Sequence, residues 1–246
     1  MNINNPRTLI AIPTYNESQN LATIVSEVLA AAPAVHLLIV DDNSPDGTGQ
    51  IADRLSRDQE RVEVLHRQTK EGLGPAYLAA FAWADRHGYD WVGEFDADGS
   101  HRPQDLPRLL KMAATNRRPD LVIGSRWTPG GATSGWSRRR QLLSRAGSRY
   151  VNAVLRLGVA DTTAGFRLYR VNFLRRLLAN LEITSRGYGF QIEMTWRTKR
   201  AGARIIEVPI TFTERRAGTS KMSGSIIREA FISVLKWRGK ELLKLH

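Results

Sequence analysis

Apolar runs recur through the first half of the chain, each followed by a polar cluster and then by an amphipathic stretch. Five of these runs predict strands, at Thr8–Ile12, Leu37–Val40, Val62–Leu65, Trp91–Phe95 and Leu121–Gly124. Between them the spacing of apolar positions predicts helices over Asn20–Ala31, Thr48–Arg57, Pro75–Arg86 and Asp105–Asn116. In the third helix Ala76, Ala79, Ala80, Trp83 and Ala84 share one face, which should pack. Strands alternating with helices predict an α/β fold, a mostly parallel sheet flanked by helices.

Beyond Arg126 the pattern changes. The stretch from Trp127 to Gly135 holds three glycines and a proline and reads as a loop. Arg138–Leu157 and Phe190–Arg200 read as helices, with a shorter mixed region between them. Ile205–Thr213 reads as one or two strands broken at Pro209. Thr213–Ser223, small, polar and basic around Gly218, is expected to form a mobile cover. Ser225–Leu245 closes the chain as an amphipathic helix, with Ile226, Ile227, Ala230, Phe231, Val234 and Leu235 at helical spacing. Arg228, Lys236, Lys240 and Lys244 surround that stripe, so the helix is suited to an anionic membrane surface. No tandem repeat or linker divides the sequence. Residues 1–246 are therefore expected to form a single catalytic domain with a membrane-associating helix at about 225–245.

With 246 residues, 42% of them hydrophobic, the chain can bury one substantial core. It has no cysteine, which rules out disulfides and cysteine-ligated metal centres. No apolar run approaches the roughly 20 residues of a membrane span, and the first residues lack signal-peptide organisation. A soluble or peripheral protein is expected. The formal net charge of +12 favours a polyanionic partner: nucleic acid, anionic lipid or phosphorylated substrate. That charge is concentrated in the second half, since Leu121–Ala160 carries seven arginines and no acidic residue.

Ligands of an open α/β sheet bind beyond the carboxyl ends of the strands, and the polar clusters stand there. Pro13–Glu17 follows the first strand, Asp41–Ser44 the second, Asp96–Asp98 the fourth and Ser125–Arg126 the fifth. Asp96 and Asp98, one residue apart at a strand end, suit a hard cation such as Mg²⁺ or Mn²⁺ that also binds substrate phosphates. Taken alone, the same triplet is ordinary turn chemistry. Asp46 or Thr48 is expected to cap the next helix, which leaves Asp42 for the hydroxyls and amines of a nucleoside. Arg140 and Ser144, four apart on a predicted helix, share a face and can grip a phosphate together with Arg126. Arg139 and Arg145 read as solvated surface, and His101 as a local hydrogen-bonding residue.

These residues lie in motifs that resemble those of the dolichyl-phosphate or polyprenyl-phosphate mannose synthases, inverting glycosyltransferases with a nucleotide-diphospho-sugar transferase (GT-A, Rossmann-like) fold. The matching stretches are PTYNE, VDDNSPDGT, GLGPAY, FDADGSH, GSRW with GGATSGW, RRRQLLSRAGSRYVN, DTTAGFRLYR, GYGFQIEM and EVPITFTERRAGTSKM. They run in family order along nearly the whole chain, and the last two are the most specific. The resemblance implies transfer of mannose from GDP-mannose to a polyprenyl phosphate at the cytoplasmic face of a membrane, with inversion. It implies nucleotide-sugar contacts at Pro13, Tyr15, Glu17, Val40, Asp42, Asp96, Ala97, Asp98, Arg126, Arg215 and Lys221. Asp98, with Asp96 close by, is implied as metal ligand, and Arg126, Arg140 and Ser144 as contacts to the acceptor phosphate; Asp98, Arg126, Arg140 and Ser144 form the expected catalytic set. Many family members carry glutamine where this chain has Ser100, whose shorter reach leaves the third protein ligand open. A separate membrane-anchoring subunit also stays open.

Two other readings compete. Nothing in the residues themselves selects guanine over uracil or mannose over glucose, so a UDP-glucose-dependent enzyme acting on the same acceptor fits them equally. A basic nucleic-acid-binding protein fits the net charge, but carboxylates at the strand ends would repel a phosphate backbone, and no nucleic-acid partner is expected.

Overall fold

Nine strands lie among the described residues: β1 (Thr8–Thr14), β2 (His36–Asp41), β3 (Val62–His66), β4 (Trp91–Glu94), β5 (Leu121–Ser125), β6 (Ala132–Thr133), β7 (Arg167–Arg170), β8 (Ile205–Pro209) and β9 (Thr211–Phe212). The structure is a computed structural model that describes residues 6–179, 181–185, 187, 189–215 and 224–243, the side chains of 224–230 and 242 excepted. Seven strands form the main sheet in the order β3-β2-β1-β4-β7-β5-β8, and β6 pairs with β9 apart from it. All main-sheet neighbours are parallel except β7, which runs antiparallel to both β4 and β5. The mostly parallel sheet predicted from the alternating pattern is present.

Helices cover both faces: α1 (Leu21–Ala31), α2 (Thr48–Asp58), α3 (Leu73–Arg86), α4 (Leu106–Ala113), α5 (Arg138–Leu155), α6 (Val171–Leu178), α7 (Gly189–Arg200) and α8 (Gly224–Leu243). In β1, Leu9 and Ala11 enter one core with α3, while Ile10 and Ile12 enter the other with α1. Burial on both sides explains why these strands read as unbroken apolar runs.

Three expectations need correction. The buried face of α3 is Ala76, Tyr77, Ala80, Phe81 and Ala84, with Ala79 and Trp83 only half-buried. Tyr77 stacks against Phe81 and Phe190, so these large rings centre the packed face, while Trp83 packs against the same core at its margin and also stacks on His87. The break after β8 falls at Ile210 rather than Pro209, because Pro209 still lies in register with Ser125. The mixed region contains β7 and α6. Arg167 of β7 disguises that strand as polar, yet it is wholly buried. Its guanidinium donates to Ala164 O, Thr162 O, Gln191 O, Thr195 Oγ1 and Tyr169 Oη over 2.6–3.2 Å, which satisfies the buried charge.

The expected helix 225–245 corresponds to α8. Val234 and Trp237 are buried in the protein's own core, and Trp237 stacks on Trp196 at 5.4 Å. Phe231, Ile232 and Leu235 remain exposed, as do Leu142 and Leu143 of α5, the helix against which α8 packs. The side chains of Ile226, Ile227, Arg228 and Ala230, and all of Lys244, lie outside the described residues. No helix among the described residues is long and apolar enough to cross a membrane.

Candidate active site

Parallel pairing brings the carboxyl ends of β3, β2, β1 and β4 to one edge. At the end of β2 two adjacent aspartates have different duties. Asp41 is committed to structure: it accepts from Thr14 Oγ1 at 3.0 Å, Ser44 N at 3.1 Å and Ser44 Oγ at 2.6 Å. Asp42 accepts from Arg67 Nη1 at 2.8 Å, and burial raises its pKa against the pull of that guanidinium. A buried carboxylate with a single cationic partner keeps acceptor capacity for a ligand.

Beside them Pro13 lies in register with Val40. Val40 and Ala97 have buried side chains, so a ligand meets these two positions chiefly through backbone. Tyr15 is capped by Lys70, whose Nζ lies 3.7 Å from the ring centroid. Glu17 accepts from Asn20 Nδ2 at 3.0 Å while its own N–H donates to Thr48 Oγ1 at 3.0 Å. Asp46 accepts from Thr48 N at 3.1 Å and fills the expected capping role one residue ahead of the helix boundary at Gly47.

The turn after β4 gathers the second acidic group. Asp96 accepts from Tyr77 Oη at 3.2 Å, and its N–H donates to His101 Nδ1 at 3.0 Å. His101 Nε2 lies 3.7 Å from Asp96 Oδ2 and is buried without a hydrogen-bond partner among the described residues. This supports the local role expected of His101. The Asp96 pKa is raised, first by burial and further by the negative charge of Asp98, against the opposing effect of His101. Asp98 accepts from Ser100 N at 2.9 Å and faces Arg215 Nη2 at 3.4 Å.

No group of three His, Cys, Asp or Glu side chains suited to a metal is gathered among the described residues. The chemistry of the turn nevertheless fits a hard cation that keeps much of its water. Two carboxylates crowd together, one with a raised pKa, and Ser100 Oγ is buried beside them without a hydrogen-bond partner. Mg²⁺ is commonly bound by one or two carboxylates with waters and substrate phosphates completing its shell.

Across the site the arginines converge on an aromatic cluster. Arg126, buried at the end of β5, donates from Nε to Asp161 Oδ2 and from Nη2 to Asp161 Oδ1, each at 2.7 Å. Its Nη2 also donates to Thr163 Oγ1 at 2.8 Å. Arg140 donates to both carboxylate oxygens of Glu214, at 2.7 and 2.8 Å, and lies 3.9 Å from the Trp136 ring centroid. Arg126 lies 5.4 Å from the same ring, so one indole gathers both guanidiniums. Ser144 is half-buried one turn beyond Arg140 on α5. Arg145 is exposed, as expected of solvated surface, and also sits 4.7 Å over Trp127, whose indole offers its face to the cation. Lys221 and positions 216–223 of the expected cover lie outside the described residues.

Arg67, Lys70, Asp161, Thr163, Trp136 and Glu214 join this site without having been singled out from sequence. The local signal was that Asp161 and Thr163 fall in the DTTAGFRLYR stretch, Trp136 in GGATSGW and Glu214 in EVPITFTERRAGTSKM.

Comparisons with known proteins follow the same outline. Residues 9–178 match the profile of "Glycosyl transferase family 2". The chain is 52% identical over 232 residues to a polyprenol monophosphomannose synthase of Mycolicibacterium smegmatis, covering 94% of this chain and 86% of the relative. It is 51% identical over 231 residues to an undecaprenyl-phosphate mannosyltransferase of Micrococcus luteus, covering 94% and 93%. Among solved structures, glucosyl-3-phosphoglycerate synthase from Mycobacterium tuberculosis, in complex with Mn²⁺, UDP and glucosyl-3-phosphoglycerate, gives a TM-score of 0.72 at 21% identity over 95% of this chain and 80% of that one. A mannosyltransferase from Pyrobaculum calidifontis, in complex with GDP-Man and Mn²⁺, gives 0.61 at 18% identity over 97% and 64%. At these identities the two structures share the fold.

Proposed function

The chain belongs to glycosyl transferase family 2, and on that footing we propose that it transfers mannose from GDP-mannose to the phosphate of a membrane polyprenol, with inversion. The observation that carries this reading is the division of one sheet edge into an acidic and a basic half. Asp42, Asp96 and Asp98 stand on one side and Arg126 and Arg140 on the other, an arrangement that suits a nucleotide diphosphate beside a second phosphate. Identity above half to two enzymes named for polyprenyl-phosphate mannosylation supports the choice of sugar and acceptor.

Asp42 faces the nucleoside, with Pro13, Tyr15, Glu17 and the backbone at Val40 around it. Asp98 and Asp96 would hold Mg²⁺ or Mn²⁺, which when bound offsets the charge of the diphosphate and eases its departure. Arg215 stands within reach of the same charge, and Lys221 is assigned there by family resemblance alone. The acceptor needs no general base. A phosphate monoester carries about −1.5 to −2 charge near neutral pH, because its second pKa is about 6. Its oxygen forms the bond to the anomeric carbon as the bond to the diphosphate breaks, and no proton moves.

Arg126, Arg140 and Ser144 orient that oxygen and lower the repulsion between two anions. Arg126 keeps its geometry through Asp161, and Arg140 keeps its place on Trp136. The exposed leucines of α5 and the exposed apolar residues of α8 supply a surface that meets the bilayer holding the polyprenyl tail. The protein then works peripherally at the cytoplasmic face.

The test is incubation of the purified chain with GDP-mannose, UDP-glucose and other nucleotide sugars, Mg²⁺ or Mn²⁺, and a short polyprenyl phosphate. Mannose transfer from GDP-mannose is expected. Transfer from UDP-glucose alone would replace the donor, and transfer from none would remove the function.

A further inference from the structure

Residues 213–215 connect the acidic turn to the basic half of the site. Thr213 donates its N–H to Ser100 O and its Oγ1 to Gly99 O, each at 3.0 Å, which anchors the segment on the turn that carries Asp98. From that anchor the next two side chains reach different partners. Arg215 lies 3.4 Å from Asp98, and Glu214 takes Arg140 at 2.7 and 2.8 Å. Close approach is possible because residue 135 is glycine with φ 81°, where an added Cβ would lie 3.0 Å from Glu214 Cβ.

We infer that Glu214 is the resident anion of the acceptor-phosphate subsite, so that the acceptor binds by exchanging its phosphate for the Glu214 carboxylate on Arg140. The inference rests on the proposed function, in which Arg140 grips that phosphate. A carboxylate and a phosphate present the same two-oxygen edge to a guanidinium. The carboxylate brings one negative charge, whereas the monoester brings about −1.5 to −2. A phosphate monoester therefore binds Arg140 more strongly than a singly charged lipid anion does, while the Glu214 carboxylate lowers the affinity of both by the same factor.

The exchange needs little driving force. The side chains of Arg140 and Glu214 are 30% and 48% exposed, and such surface pairs hold weakly. Trp136 is what makes the exchange productive, because its ring holds the Arg140 guanidinium at 3.9 Å whichever anion is present.

The experiment measures calorimetric binding of farnesyl phosphate and of farnesylacetate, a lipid carboxylate, to the full chain without donor. It compares wild type with Glu214→Gln and Arg140→Ala. Glu214→Gln is expected to bind both ligands about two- to fivefold more tightly, as removal of a surface ion pair allows. Both ligands should gain by a similar factor, because each displaces the same carboxylate, and Arg140→Ala should weaken both. Unchanged or weaker binding by Glu214→Gln, with its thermal unfolding unaltered, overturns the inference and leaves Glu214 as a tether of its segment. Unchanged binding by Arg140→Ala overturns it as well. If wild type fails to transfer mannose from GDP-mannose to farnesyl phosphate with Mn²⁺, the functional reading fails, while the binding comparison still decides whether Glu214 is displaced.

Discussion

Arg126 and Asp161, 35 residues apart in sequence, meet as a buried pair in which two guanidinium nitrogens each lie 2.7 Å from a different carboxylate oxygen. The aspartate is held in turn from behind, since its own N–H and that of Ala160 donate to Glu207 at 3.0 and 2.7 Å. Removing one partner strands the other charge in the interior. Asp161→Ala is therefore expected to cost about 3–5 kcal/mol of stability, measured by urea unfolding. It should also raise the KM for acceptor in whatever fraction stays folded. A loss below about 1 kcal/mol would place the pair among weak surface contacts and contradict its burial.

Arg126 was legible because it follows an apolar strand, but Asp161 stands in a stretch with no hydrophobic period. The two meet only because β7 reverses direction beside β5. The strand ends bearing Asp42, Asp96 and Asp98 could be read locally, since parallel pairing of neighbouring strands suffices to collect them. Their partners could not. Arg67 on Asp42 and Glu214 on Arg140 are pairings across 25 and 74 residues, and any of the many charged residues could have filled either place. Arg167 shows the same limit in the core: its burial depends on carbonyls brought in by α7 and by the turn at Thr162–Ala164, so its polarity concealed a strand.

Asp98→Ala should remove divalent-cation affinity and abolish transfer without unfolding the chain. Mn²⁺ binding followed by electron paramagnetic resonance checks the first point independently of activity. Retention of tight Mn²⁺ binding in this variant, or full transfer by wild type in excess chelator, would refute the assignment of the cation to the turn.

A pH effect is expected at Asp46. Burial alone would raise its pKa, but hydrogen bonds from Thr48 and Ser18 outweigh it and hold the group at about 2. A folded-state pKa below the unfolded value means that the stabilisation is present above the unfolded pKa and is lost as pH falls through the folded one. Asp46→Ala should therefore cost about 1 kcal/mol at neutral pH. Its deficit relative to wild type should shrink between roughly pH 4 and pH 2. Thermal unfolding across that range measures it, and a deficit that stays constant would mean that the carboxylate charge is irrelevant there.

Arg140→Ala should act on the acceptor alone. Loss of a charge-assisted contact to phosphate is expected to raise the acceptor KM on the order of tenfold. GDP-mannose affinity should change little, because Arg140 approaches the acidic turn only through Glu214 and its neighbour Arg215. If donor affinity fell instead and acceptor kinetics stayed normal, the two halves of the site would have to be exchanged.

The last expectation concerns the membrane, and the structure decides which variants can test it. Deleting α8 would be uninformative, because Val234 and Trp237 belong to the core and Trp196 donates to Glu241 at 2.6 Å. The exposed residues can be altered without touching that packing. Ile232 and Leu235 of α8 and Leu142 and Leu143 of α5 are 46%, 57%, 68% and 54% exposed. Tyr150 of α5 stacks on Phe231 of α8 at 3.7 Å and joins the two helices. Leu142 and Leu143 belong to the same helix as Arg140 and Ser144, so the element proposed to hold the acceptor phosphate also carries exposed apolar side chains. Replacing Leu142 and Leu143 by serine, or Ile232 and Leu235 by serine, should leave thermal unfolding nearly unchanged, since surface substitutions of this kind stay within about 0.5 kcal/mol. Both double variants should sediment less with anionic liposomes. The α5 pair should also lose more activity on long-chain than on short-chain polyprenyl phosphate. If both fold normally and still sediment like wild type, the bilayer is met by another surface.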